Sequence, residues 1–231
     1  MVTPEPQSHG ELRERFHQQL AELQEAQLGI TTMVDRAIQQ SLDSLINRDE
    51  ALAHVVIAED NLIDEAAYGL QNQCVVLLAQ QGPLAGDLRL VVSVTAIASE
   101  LERMGDHAEG IAKIVVMMQG EPLIKPLVDI PKMAEKARKM MNDSVQAFIN
   151  KDVDSAYAVS RADNEVDDLY STVYHDLIQV MVANPSAIEP ATHLLWVAHN
   201  LERIADRATN IAERAVYTAT GELPHMDTSN Y

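Results

Sequence analysis

An all-α fold, built twice over, is predicted by three observations. The chain of 231 residues is 47% hydrophobic yet only 4% aromatic, with 10 Met, 9 Gly and 9 Pro, the balance of Ala/Leu/Val-filled helix seams rather than of sheets. Apolar residues recur at three- and four-residue steps over long stretches, the period of a helix with one buried face. The stretch Glu100-Leu-Glu-Arg-Met-Gly-Asp-His-Ala-Glu-Gly-Ile-Ala-Lys113 returns as Asn200-Leu-Glu-Arg-Ile-Ala-Asp-Arg-Ala-Thr-Asn-Ile-Ala-Glu213, in one register of 100 residues. Two tandem three-helix bundles follow, six helices in total, each antiparallel up-down-up because its turns are short.

Residues 1–10 read as a flexible tail. The first unit, 11–121, opens with a long helix marked by Leu12, Phe16, Leu23, Ile30, Met33, Ala37 and Ile38 and reaching Leu45-Ile46, about 55 Å if unbroken. Asn47-Arg48-Asp49 stops it, with Asp49 as N-cap of a second helix that runs to Gln81. Gly82-Pro83 breaks the chain, and a third helix starts near Leu84 or Asp87 and ends at Gly120, with Pro122 behind it. The second unit, 122–220, follows a linker from Pro122 to Pro131. Its first helix carries Met133, Ala137, Met140, Met141, Val145 and Phe148 and ends at Asn150-Lys151-Asp152, the earlier turn repeated at an offset of 103. Asp60, Asn61 and Asp64 recur at that offset as Asp163, Asn164 and Asp167, and a shorter break at Asn184-Pro185 accounts for the drop to 100. Gly221 closes the sixth helix, and 221–231 reads as a second flexible tail. The units are expected to join end to end through the first and fourth helices.

Charge narrows the function classes. With 35 acidic against 17 basic residues the formal charge is −18, which repels phosphate backbones and anionic lipid heads, so no direct nucleic-acid contact is expected. The single cysteine, Cys74, lies in the apolar run 74–79 and reads as a buried, inert thiol in a reducing cytosol. No basic and apolar leader opens the chain and no long uncharged apolar run follows, so neither export nor membrane insertion is expected and the location is read as cytoplasmic.

Acidic pairs carry the candidate chemistry. Leu101, Gly105, Ala108 and Ala112 form a stripe of mostly small residues, and Glu102, Asp106, Glu109 and Lys113 line its flank. Glu102–Asp106 and Glu202–Asp206 are like charges at i,i+4, as are Asp60–Asp64 and Asp163–Asp167. Such pairs cost an isolated helix a few tenths of a kcal/mol each unless a cation lies across them. Hard divalent or ferric ions accept several carboxylate oxygens from facing helices, and Asn210 offers an amide oxygen one turn beyond Asp206. An oxygen-only set favours Mg, Mn, Ca or Fe over Zn. The first copy departs at Gly110, where the second has Asn210. The competing reading is an acidic face open to water, with Arg103, Arg203 and Arg207 as local partners.

Enzyme signatures are sparse. Carboxylate-bridged oxidase bundles want Glu-x-x-His on core helices, and that spacing occurs only at Glu14…His17 and Glu222…His225, one in opening turns and the other across Pro224. There is no Gly-x-Ser-x-Gly, no phosphate-cradling Walker loop and no thiol pair. A helical metalloenzyme of the oxidase type nonetheless stays as the alternative to a non-catalytic regulator.

The doubled motif, with Asp87-Leu88-Arg89 a few turns before its first copy, resembles the PhoU family of phosphate-transport regulators over residues 11–220. The resemblance implies an all-α, non-enzymatic, cytoplasmic and usually dimeric accessory protein. It would restrain high-affinity phosphate uptake and phosphate-starvation signalling through two partners, the phosphate ABC transporter ATPase and a phosphate-sensing histidine kinase. It also implies metal on Glu102, Asp106, Glu202 and Asp206.

Overall fold

The computed structural model describes residues 9–118 and 123–226, with side chains from Glu14 onward. Six α-helices carry these residues: α1 His9–Asn47, α2 Glu50–Gln81, α3 Ala85–Met117, α4 Asp129–Asn150, α5 Val153–Ala183 and α6 Ile188–Thr220. A single 3₁₀ turn, Pro185–Ala187, precedes α6, and no strand occurs among the described residues. The predicted all-α class and the six helices are as observed. The first eight residues, the expected stop at Gly120 and Pro122, and 227–231 lie outside the described residues.

The repeated turn is built the same way both times. Arg48 and Lys151 take left-handed φ values of 55° and 54°, and the next N–H, from Asp49 or Asp152, returns to the carbonyl of Ser44 or Ala147. That six-to-one bond satisfies carbonyls at the end of α1 and α4. Each aspartate then caps the following helix, Asp49 Oδ1 accepting from Leu52 N–H at 3.0 Å and Asp152 Oδ1 from Ser155 N–H at 3.1 Å. Gly82 and Gly221 end α2 and α6 in the left-handed region, where a Cβ is disfavoured. One boundary moves: α4 starts at Asp129, ahead of the expected linker end, because Pro131 sits in its first turn, where no backbone N–H is required.

Within each unit all three helices pack on one another. The joint between units differs from the expectation. α1 and α4 do meet, with Arg138 of α4 bound to Asp35 at 2.6 Å and to Gln39, but the larger seam is between α3 and α6. Climbing α3 from Arg89 through Ser93, Glu100 and His107 to Gly110, the partners descend α6 from Gly221 through Thr218, Asn210 and Arg207 to Asn200. The two copies of the motif therefore cross antiparallel, related by a pseudo-two-fold axis. The cause is apolar breadth: Val91, Val94, Ile97, Leu101 and Met104 on α3 and Val197, Leu201, Ile204 and Ile211 on α6 are all buried, and a helix apolar over so much of its surface needs neighbours on two sides.

The small-residue stripe is buried as read, at Leu101, Gly105, Ala108 and Ala112. Cys74 is fully buried, and desolvation pushes its thiol upward. No described helix is long and apolar enough to cross a membrane. Beyond α6 the chain folds back: Met226 is buried, its N–H donates to Glu213 Oε1 at 2.7 Å, and its carbonyl accepts from Ser160 Oγ at 3.2 Å.

Candidate functional site

Carboxylates from α2 and α3 converge in the first unit. One oxygen each of Asp60, Asp106 and Glu109 lie within 4.8 Å of one another, and so do those of Asp64, Glu102 and Asp106. Asp106 belongs to both groups. Helix geometry explains the convergence: i,i+4 spacing puts each pair on one face, and the close α2–α3 approach brings the faces together. Gly105 permits that approach, since a Cβ there would lie 3.2 Å from Asp60 Oδ1 and from two Ile63 carbons.

The electrostatics are those of crowded, partly dehydrated anions. Burial, then the charges of Glu109, Asp64 and Asp106, raise Asp60 to about 7, with Lys113 opposing. Burial and the same neighbourhood of acids raise Asp64, and burial followed by Asp106 and Asp64 raises Glu102. Asp60 Oδ1 and Asp64 Oδ1 are buried with no hydrogen-bond partner. Unsatisfied buried acceptors are costly, and a cation across these oxygens removes the cost.

The second unit repeats the plan with altered chemistry. A cavity of about 250 Å³ is lined by Asp163, Arg203, Asp206, Thr209, Asn210, Glu213 and His225, and Asp167 and Glu202 belong to the same α5–α6 face by register. Arg203 Nη1 donates to Asp206 Oδ2 at 2.7 Å. Burial and then Asp206 raise Glu202 to about 7, with Arg203 opposing. Glu202 Oε2 is buried without a hydrogen bond; His199 Nδ1 is 3.3 Å away, and burial, with the charge of Arg203, lowers its imidazole. Asn210, the expected amide ligand, directs its Nδ2 to Glu100 Oε2 at 3.2 Å across the seam.

Gly110 has a structural reason. A Cβ there would meet Asn200 Oδ1 at 3.1 Å, and Asn200 is held by His107 Nδ1 at 2.9 Å. His107 accepts at Nε2 from Arg207 Nε at 3.3 Å, while Arg207 Nη1 donates to Glu100 at 3.0 Å. Three of the positions at which the two motif copies differ, 100 and 200, 107 and 207, 110 and 210, thus meet across the seam. Sequence reading took Arg207 for a local partner of the acids and missed Glu213 and His225. Glu213 shows as a charge reversal, standing where the first copy has Lys113; His225 showed only in the Glu222…His225 spacing, set aside because Pro224 interrupts it, and it is the fold-back beyond Gly221 that brings it to the cavity.

Comparison with known proteins settles the family. The family model described as the PhoU domain matches residues 29–115 and again 130–215. The chain belongs to the PhoU family. It is 35% identical over 211 residues to the phosphate-specific transport system accessory protein PhoU homolog of Clostridium acetobutylicum, covering 91% of this chain and 96% of that one. Identity to the Aquifex aeolicus homolog of the same name is 37% over 209 residues, 90% and 95% of the two chains. The crystal structure of PhoU from Pseudomonas aeruginosa superposes with a TM-score of 0.85 at 30% identity, covering 90% of this chain and all of that one. The Streptococcus pneumoniae phosphate transport system regulatory protein PhoU gives 0.84 at 31% identity, over 91% and 99%.

Proposed function

We propose that this chain is a cytoplasmic regulatory adaptor, not an enzyme, that negatively controls high-affinity phosphate uptake and phosphate-starvation signalling. On this reading it acts as a homodimer and binds the phosphate ABC transporter ATPase and the phosphate-sensing histidine kinase. The observation that carries the reading is the pair of PhoU domains that together fill most of the chain, supported by relatives named as accessory proteins of phosphate-specific transport. A deletion strain tests it: phosphate uptake and starvation-gene expression stay high in phosphate-rich medium. Normal repression in that strain contradicts the reading.

On the same reading Asp60, Asp64, Glu102 and Asp106, and in the second unit Asp163, Asp167, Glu202, Asp206 and Asn210, hold divalent or ferric cations. The support is the set of buried oxygens without hydrogen-bond partners, Asp60 Oδ1, Asp64 Oδ1 and Glu202 Oε2, and carboxylate groups that in the first unit are all-oxygen and suit Fe, Mn, Mg or Ca. Elemental analysis of protein purified without chelator or histidine tag is expected to find metal. EDTA is then expected to lower the melting temperature, since a ligand of the folded state stabilises it by mass action. Metal-free protein that melts alike with and without EDTA returns the acids to a solvated face.

One observation favours the oxidase alternative, the sharing of Asp106 by two carboxylate groups. Against it, neither Glu-x-x-His pair supplies a member of the first cluster; Glu14 and His17 lie on α1, and of the other pair His225, but not Glu222, lines the second cavity. Oxygen consumption by the iron-loaded protein that outpaces free iron would reverse the ranking.

A further inference from the structure

The two carboxylate clusters are repeats of one another, yet they hold their basic side chains in different places. In the first, no lysine or arginine among the described residues stands within ion-pair distance of Asp60, Asp64, Glu102 or Asp106; the single contact is Lys113 Nζ with Glu109 at 2.5 Å, at the rim. Glu109 belongs to just one of the two groups that share Asp106, so Asp64, Glu102 and Asp106 converge with no ion pair, Arg103 and Arg207 acting on Glu102 only through their charge at a distance. Arg103, the counterpart of Arg203, is exposed and makes no ion pair with Asp106. In the second cluster Arg203 sits on Asp206 at 2.7 Å and its guanidinium faces the same cavity as Asp163, Glu213 and His225. The position of Glu109 is taken by Thr209, whose hydroxyl donates to the Asp206 carbonyl at 2.6 Å, while Glu213 brings a carboxylate to the cavity where the first copy has Lys113.

We infer that Arg203 is a tethered competitor cation: it occupies Asp206 in place of a metal ion, so the first cluster fills first and the second fills only when the guanidinium swings away. The room for that swing exists. The Arg203 side chain is 42% exposed, the cavity beside it measures about 250 Å³, and a pairing this exposed is weak enough to be displaced. The inference rests on the metal reading above and adds an order of loading that the repeat by itself does not imply. A chain with two unequal cation sites responds to metal over a wider concentration range than one with two alike.

Mn(II) titration of the chelator-stripped full chain, followed by the free-ion EPR signal and by calorimetry, tests this. Wild type is expected to bind in two phases, with Glu102→Gln removing the tight phase and Asp206→Asn the weak one. Arg203→Gln is expected to tighten the weak phase at least tenfold and leave the tight phase in place, whereas Arg203→Lys, which keeps the charge, retains the wild-type pattern. A weak phase that is unchanged or weaker in Arg203→Gln overturns the inference, as does loss of the tight phase in Asp206→Asn. If neither wild type nor any variant binds Mn(II), the metal reading itself fails and takes this one with it.

Discussion

Gly105 shows how closely single atoms govern the first cluster. Its missing Cβ leaves room for Asp60 Oδ1 and Ile63, so Gly105→Val should destabilise by about 1–3 kcal/mol through overpacking and displace Asp60 from Asp106; denaturant midpoints and Mn(II) affinity measure both effects. Protonation gives a second test. Asp60 and Glu202 rise from 3.8 and 4.5 to about 7 on folding, so between about pH 4 and 7 the metal-free folded chain holds protons that the unfolded chain releases. In chelator these two groups therefore make stability fall as pH rises through that window, against the rise contributed by His107 and His199, whose imidazoles burial lowers. Glu202→Gln should flatten the fall and raise the melting temperature at pH 8 by roughly 2–6 °C, given about 2–4 °C per kcal/mol at this size. Thermal melts from pH 4 to 8 in which Glu202→Gln keeps the wild-type pH slope contradict this. At this scale the acidic residues were legible from i,i+4 spacing alone, because like charges on one helix face call for an explanation. Arg203 as the occupant of Asp206 was legible too, since i,i+3 is a helical contact; the roles of Ser160 and His225 were not, because it is the fold-back segment that brings Met226 to Ser160 and His225 to the cavity.

At the scale of elements, the turns carried the most information. The pattern of polar residue, left-handed residue and capping aspartate recurs with the same hydrogen bonds at Asn47-Arg48-Asp49 and Asn150-Lys151-Asp152. Asp49→Ala and Asp152→Ala should each cost about 1 kcal/mol and add in the double variant, since the two caps share no partner; urea midpoints check the sum. What periodicity could not supply was the partner of each helix face. A stripe at three- and four-residue steps says that a face is buried but not against what, and both α3 and α6 have apolar surface enough for two neighbours. The α3–α6 seam is also polar at its centre. Arg207, with a side chain 13% exposed, joins Glu100 and His107, so Arg207→Ala should cost about 1–3 kcal/mol by leaving semi-buried groups short of a donor.

Over the whole molecule, duplication has given two chemically unequal halves around one axis. Both motif helices meet in that seam, so Asp106 and Asp206 each lie one residue from the groups, His107 and Arg207, that hold the units together. A net charge of −18 sets the long-range field, and partners that meet this surface gain from basic complementary patches. The repeat made the architecture readable from sequence, whereas nothing in a single sequence specifies which surface receives which partner. The adaptor reading is tested most directly by affinity capture of the tagged chain from crosslinked, phosphate-replete cells, with the captured proteins identified by mass spectrometry. Recovery of the transporter ATPase and the sensor kinase, above an untagged control, is the predicted result; capture that recovers neither would contradict it.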